Sequence, residues 1–171
     1  GVPYPTKGLP MADADARIDA LVERIRLLED KAAIQETLSA YGPAVDAGDA
    51  DAVGALWTED AVYDIDIRVM EGNDAITEMV RTRPHQDYIT EGCGHLMDPV
   101  HIRVDGDTAV ATCHSLLLRR NPDSDSFRVW RVTANRFDMR RVDGTWKIAR
   151  RTARVLDGSE EARALLARAS R

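Results

Sequence analysis

The sequence predicts an α+β domain in which helices come first and a run of antiparallel strands follows. Apolar residues recur at helical spacing from Ile18 to Val45. Beyond Gly94 the chain turns to long strand-like segments. Two hairpin turns, Asp105-Gly106-Asp107 and Val142-Asp143-Gly144, separate these segments, using residues that accept positive φ at little cost. A long, curved antiparallel sheet wrapped on two or three helices leaves a pocket between the layers.

In chain order, residues 1–12 read as a Pro- and Gly-rich arm and 13–171 as one domain. Ile18, Leu21, Val22, Ile25 and Leu28 form the apolar stripe of a first helix, with Asp13 or Asp15 as its cap. Such a stripe must pack on something, either its own sheet or a neighbouring subunit. Ile34, Leu38, Tyr41 and Val45 continue the helical pattern, and Gly42-Pro43 predicts a kink because proline removes a backbone donor. Gly48 is a helix stop, and Asp49 caps a short helix from Ala50 to Leu56. A strand is expected over 61–69, then a turn at Gly72-Asn73-Asp74 and a helix over 75–83. The later strands are expected at 94–104, 108–120, 127–141 and 145–155, and a capped helix at 159–170.

Composition narrows the function classes. A chain of 171 residues, 44% hydrophobic and 30% charged, is ordinary for a single globular domain. No apolar run approaches the roughly 18 residues of a membrane span, no signal-like segment opens the chain, and the cytoplasm is the expected compartment. The net charge of -6 argues against nonspecific nucleic-acid binding. Charge is unevenly placed: residues 1–118 hold 9 Lys and Arg against 22 Asp and Glu, whereas residues 119–171 hold 14 against 7. The two halves are expected to attract one another in the fold, or else the last strands form a basic binding face. Cys93 and Cys113 have no metal-type spacing and read as small buried residues. No metal and no organic cofactor is expected, because no His-x-x-x-His or Glu-x-x-His pattern, glycine-rich phosphate loop or nucleophile turn occurs.

Three stretches carry a resemblance to a known family: AIQETLSAYGPAVDAGDADAVGALWTEDAVYD, the GNDAI turn and RVDGTWKIARR. Over roughly residues 28–158 the chain resembles the nuclear transport factor 2-like superfamily, in its SnoaL-like branch. The resemblance implies a cone-shaped α+β barrel, a strongly curved, mixed, mostly antiparallel sheet wrapped around N-terminal helices with an apolar internal pocket. Function within that superfamily is diverse. The pattern is most similar to the group that includes scytalone dehydratase, bile-acid 7α-dehydratase and hexachlorocyclohexane dehydrochlorinase. Those enzymes pair a helix-borne Asp with a sheet-borne His, which here fall at Asp46 and His95. A Tyr five residues before the Asp falls at Tyr41, and the dehydrochlorinase arginine at Arg151. Self-association is implied as well, a trimer before a dimer.

The chemistry of these residue types fits elimination. A histidine titrates near neutral pH, and a buried Asp on its other nitrogen fixes its tautomer. Tyr41 is expected to support a developing enolate, and Arg151 to bind an anion. On an ideal helix Tyr41 and Asp46 lie about 140° apart, so a kink is needed to bring both to one cavity. His114 and Ser115 are strand neighbours on opposite faces, of which one should face the cavity. His114 and Trp57 are carried with Arg151 as substrate-binding candidates, although Trp57, like Trp130 and Trp146, suits the core. His101 is a weaker candidate, and His85, beside Pro84, is expected in a solvent-facing loop. The expected function is a cofactor-independent lyase of the dehydratase type acting on a cyclic, fairly apolar small molecule. The alternatives are an isomerase like the ketosteroid isomerases, whose base would fall near Ile65, a noncatalytic subunit like the β subunit of ring-hydroxylating dioxygenases, and a ligand-binding module without turnover.

Overall fold

The computed structural model describes residues 11–167. The expected arm over 1–12 therefore lies outside the described residues as far as residue 10, and residues 11 and 12 already belong to a helix. That helix, α1, runs from Met11 to Asp46. It passes through Gly42-Pro43 as one helix, where the sequence predicted an interruption. Pro43 sits in the last turn, so little helix is left to disturb, and its carbonyl still accepts from Ala47 N at 2.9 Å.

The two halves of α1 differ in environment. Ile34, Leu38, Tyr41 and Val45 are buried, the core-facing stripe of the second half. The stripe of the first half stays exposed. The boundary is Asp30, which accepts from both terminal nitrogens of Arg141 at 2.8 Å and from Trp146 Nε1 at 3.0 Å. The Arg141 guanidinium also lies over the Trp146 ring. Hydrogen bonding from Arg141 outweighs the effect of burial and holds the Asp30 carboxyl below its ordinary range.

After Gly48, at φ +70°, Asp49 caps α2 (Ala50–Ala55) by accepting from Ala52 N at 2.9 Å. The strand expected over 61–69 is instead a hairpin of β1 (Trp57–Ile65) and β2 (Arg68–Glu71). Alternation of residue types simply continues through its turn, where Asp66 is held by Arg131 and by Val155 N. Helix α3 (Asn73–Arg81) is followed by a short helix, α4 (His85–Glu91), which replaces the loop expected there. The strand expected over 94–104 is divided at Pro99 into β3 (Cys93–Met97) and β4 (His101–Asp105). Then β5 (Thr108–Arg120), β6 (Phe127–Val142), β7 (Thr145–Val155) and α5 (Glu160–Ala167) follow close to their predicted bounds. Residues 168–170 of the expected last helix lie outside the described residues.

One seven-stranded sheet has the order β2-β1-β7-β6-β5-β3, with β4 also paired to β5. Only β1 and β7 pair in parallel, so the sheet is mixed and mostly antiparallel, as expected. The core lies between the sheet, the second half of α1, and α2 and α3. The uneven charge is used internally: arginines of the last strands pair with carboxylates of the first half, Arg140 with Asp60 and Arg150 and Arg154 with Asp64. The exposed Arg140–Asp60 pair contributes little to stability, whereas Arg154 and Asp64 are mostly buried.

Gly42 is where α1 meets β3. A Cβ on this residue would stand 2.3 Å from the His95 carbonyl oxygen, which is backbone and cannot step aside. Alanine normally stabilises a helix relative to glycine by about 1 kcal/mol. Gly42→Ala should instead destabilise this fold by about 1–3 kcal/mol, the usual effect of overpacking, read from the denaturant midpoint. A midpoint that rises would show that α1 and β3 do not approach so closely.

Candidate active site

The C-terminal turn of α1 and the strand β3 build the centre of the site. Asp46 holds His95 at two points: Oδ2 accepts from the His95 backbone N–H at 2.8 Å, and Oδ1 lies 2.6 Å from ring Nδ1. Cys93 Sγ donates to Oδ1 at 3.5 Å. Burial acts to raise the Asp46 carboxyl, but hydrogen bonds from the His95 side chain and backbone outweigh it, and its pKa falls below the ordinary value. An ionised carboxylate only accepts, so Nδ1 is the donor in this contact and Nε2 is the ring nitrogen outside it.

His95 lines a cavity of about 260 Å³ between α1, the sheet and α4. Its lining is mostly apolar, with Ile65, Met79, Leu116 and Leu117 among the contributors, and Trp130, expected in the core, is instead half exposed and also lines it. Tyr41 also lines it, while Asp46 stands behind the imidazole. The angular separation of the two helix residues is thus not an obstacle: only one of them has to face the cavity. Burial raises the Tyr41 phenol far above its usual range, which keeps it a hydrogen donor.

Arg151 is the cavity's cation. It is 5% exposed, and its Nε and Nη2 donate to Asn135 Oδ1 at 3.0 and 2.8 Å. Its Nη1 has no hydrogen-bond partner among the described residues. The guanidinium lies 4.9 Å from the Tyr41 ring centre and 4.8 Å from that of Tyr63. Asn135 in turn donates to Ser115 Oγ at 2.9 Å, so Ser115, Asn135 and Arg151 form one oriented chain.

Two of the substrate-binding candidates are elsewhere. His114 faces away from the cavity, because strand alternation turns its neighbour Ser115 inward. It is half exposed and bonded to Asp98, with Nδ1 to Oδ2 at 2.7 Å. Trp57 is 1% exposed and does not line the cavity; it packs behind Tyr41 and Tyr63 as a core aromatic. His101 is exposed on β4, away from the cavity lining.

Two residues escaped the sequence reading. His85 is not in a loop but opens α4, and its ring stacks on His95 with centres 5.3 Å apart and planes at 14°. It lines the cavity, and its Nε2 is buried without a partner among the described residues. Burial, then the neighbouring His95, lowers its pKa to about 4, so it is neutral at ordinary pH. A helix of only 85–91 has no apolar stripe to reveal it. Asn135 is 0% exposed, and nothing in the sequence singled it out, because polar residues such as Thr133, Arg136 and Asp138 surround it on the strand.

Asp46, Cys93 and His95 place three potential metal-ligand atoms within 4.8 Å of one another. Their contacts are those of hydrogen bonds. Burial and the Asp46 charge push the Cys93 thiol up to about 11, so it acts as a donor and does not offer a thiolate. Both cysteines are free.

The SnoaL-like domain model matches residues 26–152, which contain the sheet up to the last three residues of β7 and all the cavity residues named above. The chain belongs to the SnoaL-like domain family. An NTF2-like protein of cystatin-like fold from Novosphingobium aromaticivorans is 41% identical, with a TM-score of 0.82 over 85% of this chain and 94% of that one. A protein of unknown function from Mycobacterium tuberculosis is 20% identical, with a TM-score of 0.68 over 88% and 90% of the two chains. A hexachlorocyclohexane dehydrochlorinase from Novosphingobium barchaimii is 18% identical, with a TM-score of 0.67 over 78% and 90%. The last two likenesses are of fold. No curated protein matches the chain. Among the described residues of this SnoaL-like chain, no helix is long and apolar enough to cross a membrane.

The Asp46 carboxylate ties stability to acid. A depressed folded-state pKa contributes stability that is present above the unfolded value of about 3.8 and is lost as pH falls through the lower folded value. Asp46→Asn should therefore lower stability at neutral pH and flatten the decline below about pH 4, measured by urea unfolding across pH 2–7. An unchanged acid slope would mean that the carboxylate is not held by His95.

Proposed function

We propose that this SnoaL-like protein is a cofactor-independent lyase of the dehydratase type, acting on a cyclic, fairly apolar small molecule in the cavity. The observation that carries the reading is the two-point grip of Asp46 on His95, which leaves Nε2 as a base in an apolar cavity beside a buried arginine. In this mechanism Nε2 takes a proton from a carbon next to the substrate carbonyl. The electron pair moves onto the carbonyl oxygen, where Arg151 Nη1 and the Tyr41 hydroxyl stabilise the enolate. As the enolate collapses, a hydroxyl on the adjacent carbon leaves with the proton returned by the imidazolium. Water and an unsaturated ketone result, and the histidine is neutral again. Asp46 stabilises the imidazolium throughout without taking its proton. Neutral His85, stacked on His95, offers its ring nitrogen to a second polar group of the ligand.

Isomerisation is the second reading, since the same enolate reprotonated at another carbon shifts a double bond. It would run through His95, because the β1 residues lining the cavity are Tyr63 and Ile65, neither of them a carboxylate. The flanking Asp64 is paired with Arg150 and Arg154, and Asp66 with Arg131. A noncatalytic subunit has no use for an oriented dyad and an unpaired buried guanidinium nitrogen in a cavity, which favours the enzymatic readings.

The test is turnover of a panel of cyclic β-hydroxy ketones, followed by ultraviolet absorbance of the enone. His95→Ala should lower kcat/KM by about 100- to 10,000-fold, and Arg151→Lys by a smaller factor. Binding of panel members with no turnover by the wild-type protein would contradict the lyase reading and leave a ligand-binding role.

A further inference from the structure

The first half of α1 is a helix without a packing partner among the described residues of its own chain. Residues 13–29 are exposed apart from Ala14, which is half-buried. Ile18, Leu21, Val22, Ile25 and Leu28 are each between 45% and 66% exposed, although their spacing is that of a helix that buries one face. On an ideal helix this stripe lies roughly 150° around from the one formed by Ile34, Leu38, Tyr41 and Val45. It therefore points away from the protein's own core, and the Asp30 clamp to Arg141 and Trp146 anchors the helix where the exposed half begins. A solvated helix of this length is marginal by itself, because helices in proteins gain most of their stability by packing.

The sequence says what kind of partner fits. With Ile18 at position a, the seam reads Ile18 (a), Leu21 (d), Ile25 (a), Leu28 (d), two heptads of the combination that favours two strands. The flanking charges choose the direction. In a parallel pair Arg24 (g) meets Glu29 (e) of the second copy, an attraction made twice by symmetry. In an antiparallel pair that sets Ile18 against Leu28, Asp15 and Glu29, both at e, would face each other, and at g Arg24 would face its own copy and Arg17 would face Lys31. We propose that residues 14–28 form a parallel two-stranded coiled coil with the same segment of a second copy of this chain. The bodies then hang side by side from the C-terminal end of the coil, each with its own complete cavity.

Sedimentation equilibrium of the full chain should return twice its 19.0 kDa mass. Leu21→Glu combined with Leu28→Glu should weaken the dimer roughly 100-fold or more, because it places carboxylates in the seam. These residues lie off the core, so near-UV circular dichroism of the double variant should match that of the wild type. Ile25→Cys reports direction: in a parallel pair the two a positions meet in register, and mild oxidation should cross-link the copies through residue 25. A monomeric or trimeric wild type, a double variant that keeps the dimer mass, or a dimer that Ile25→Cys does not cross-link would each overturn the proposal.

Discussion

Asp46 reaching His95 at two points is the contact on which the rest of the site depends. One carboxylate holds a backbone amide and a ring nitrogen of the same residue, so it fixes both the position of β3 against α1 and the orientation of the imidazole. The contact requires the helix and strand to approach closely. Gly42 permits this, since any side chain there would meet the His95 carbonyl. The geometry of the Asp46–His95 pair and the packing of α1 on β3 are thus one constraint. An imidazole held this way is preorganised, the property that the proposed reaction would use.

The cavity holds a buried cation as well as that imidazole. Arg151 is buried among aromatic rings, with an amide where a carboxylate would ordinarily sit. Asn135 orients the guanidinium without neutralising it. The positive charge is therefore not cancelled by a carboxylate. Desolvating a charge is unfavourable, and buried charges of this kind cluster at functional sites. Both polar atoms of the cavity that lack partners among the described residues, Arg151 Nη1 and His85 Nε2, lie where a ligand with two polar groups would satisfy them.

Much of this was legible in the sequence because it rests on local rules. Strand lengths after residue 107 follow from Asp-Gly turns and alternation, and α1 follows from period. Asp46, His95, Tyr41 and Arg151 came from resemblance in motif, and all four converge on one cavity or its wall. What was not legible depends on non-local pairing. The break between β3 and β4 arises because the two segments pair with different halves of β5, a fact invisible in a run that looks continuous. His114 and Ser115 could be assigned to faces only once register was known. His85 entered the site through a short helix with no periodic signature, placed by its packing. Trp57, carried as a substrate-binding candidate, takes the core position its residue type suits and backs the two tyrosines.

The tautomer of His95 tests the central claim most directly. Long-range nitrogen–proton correlation spectra of histidine-labelled protein at pH of about 9, where an ordinary imidazole is neutral, distinguish the two forms. Assignment follows from replacing His85, His101, His95 and His114 one at a time. The account predicts that His95 is protonated at Nδ1 with Nε2 bare, and that Asp46→Asn disturbs this signal and leaves that of His114 unchanged. A His95 protonated at Nε2 would have no free base facing the cavity, and the acid–base account of this site would fail.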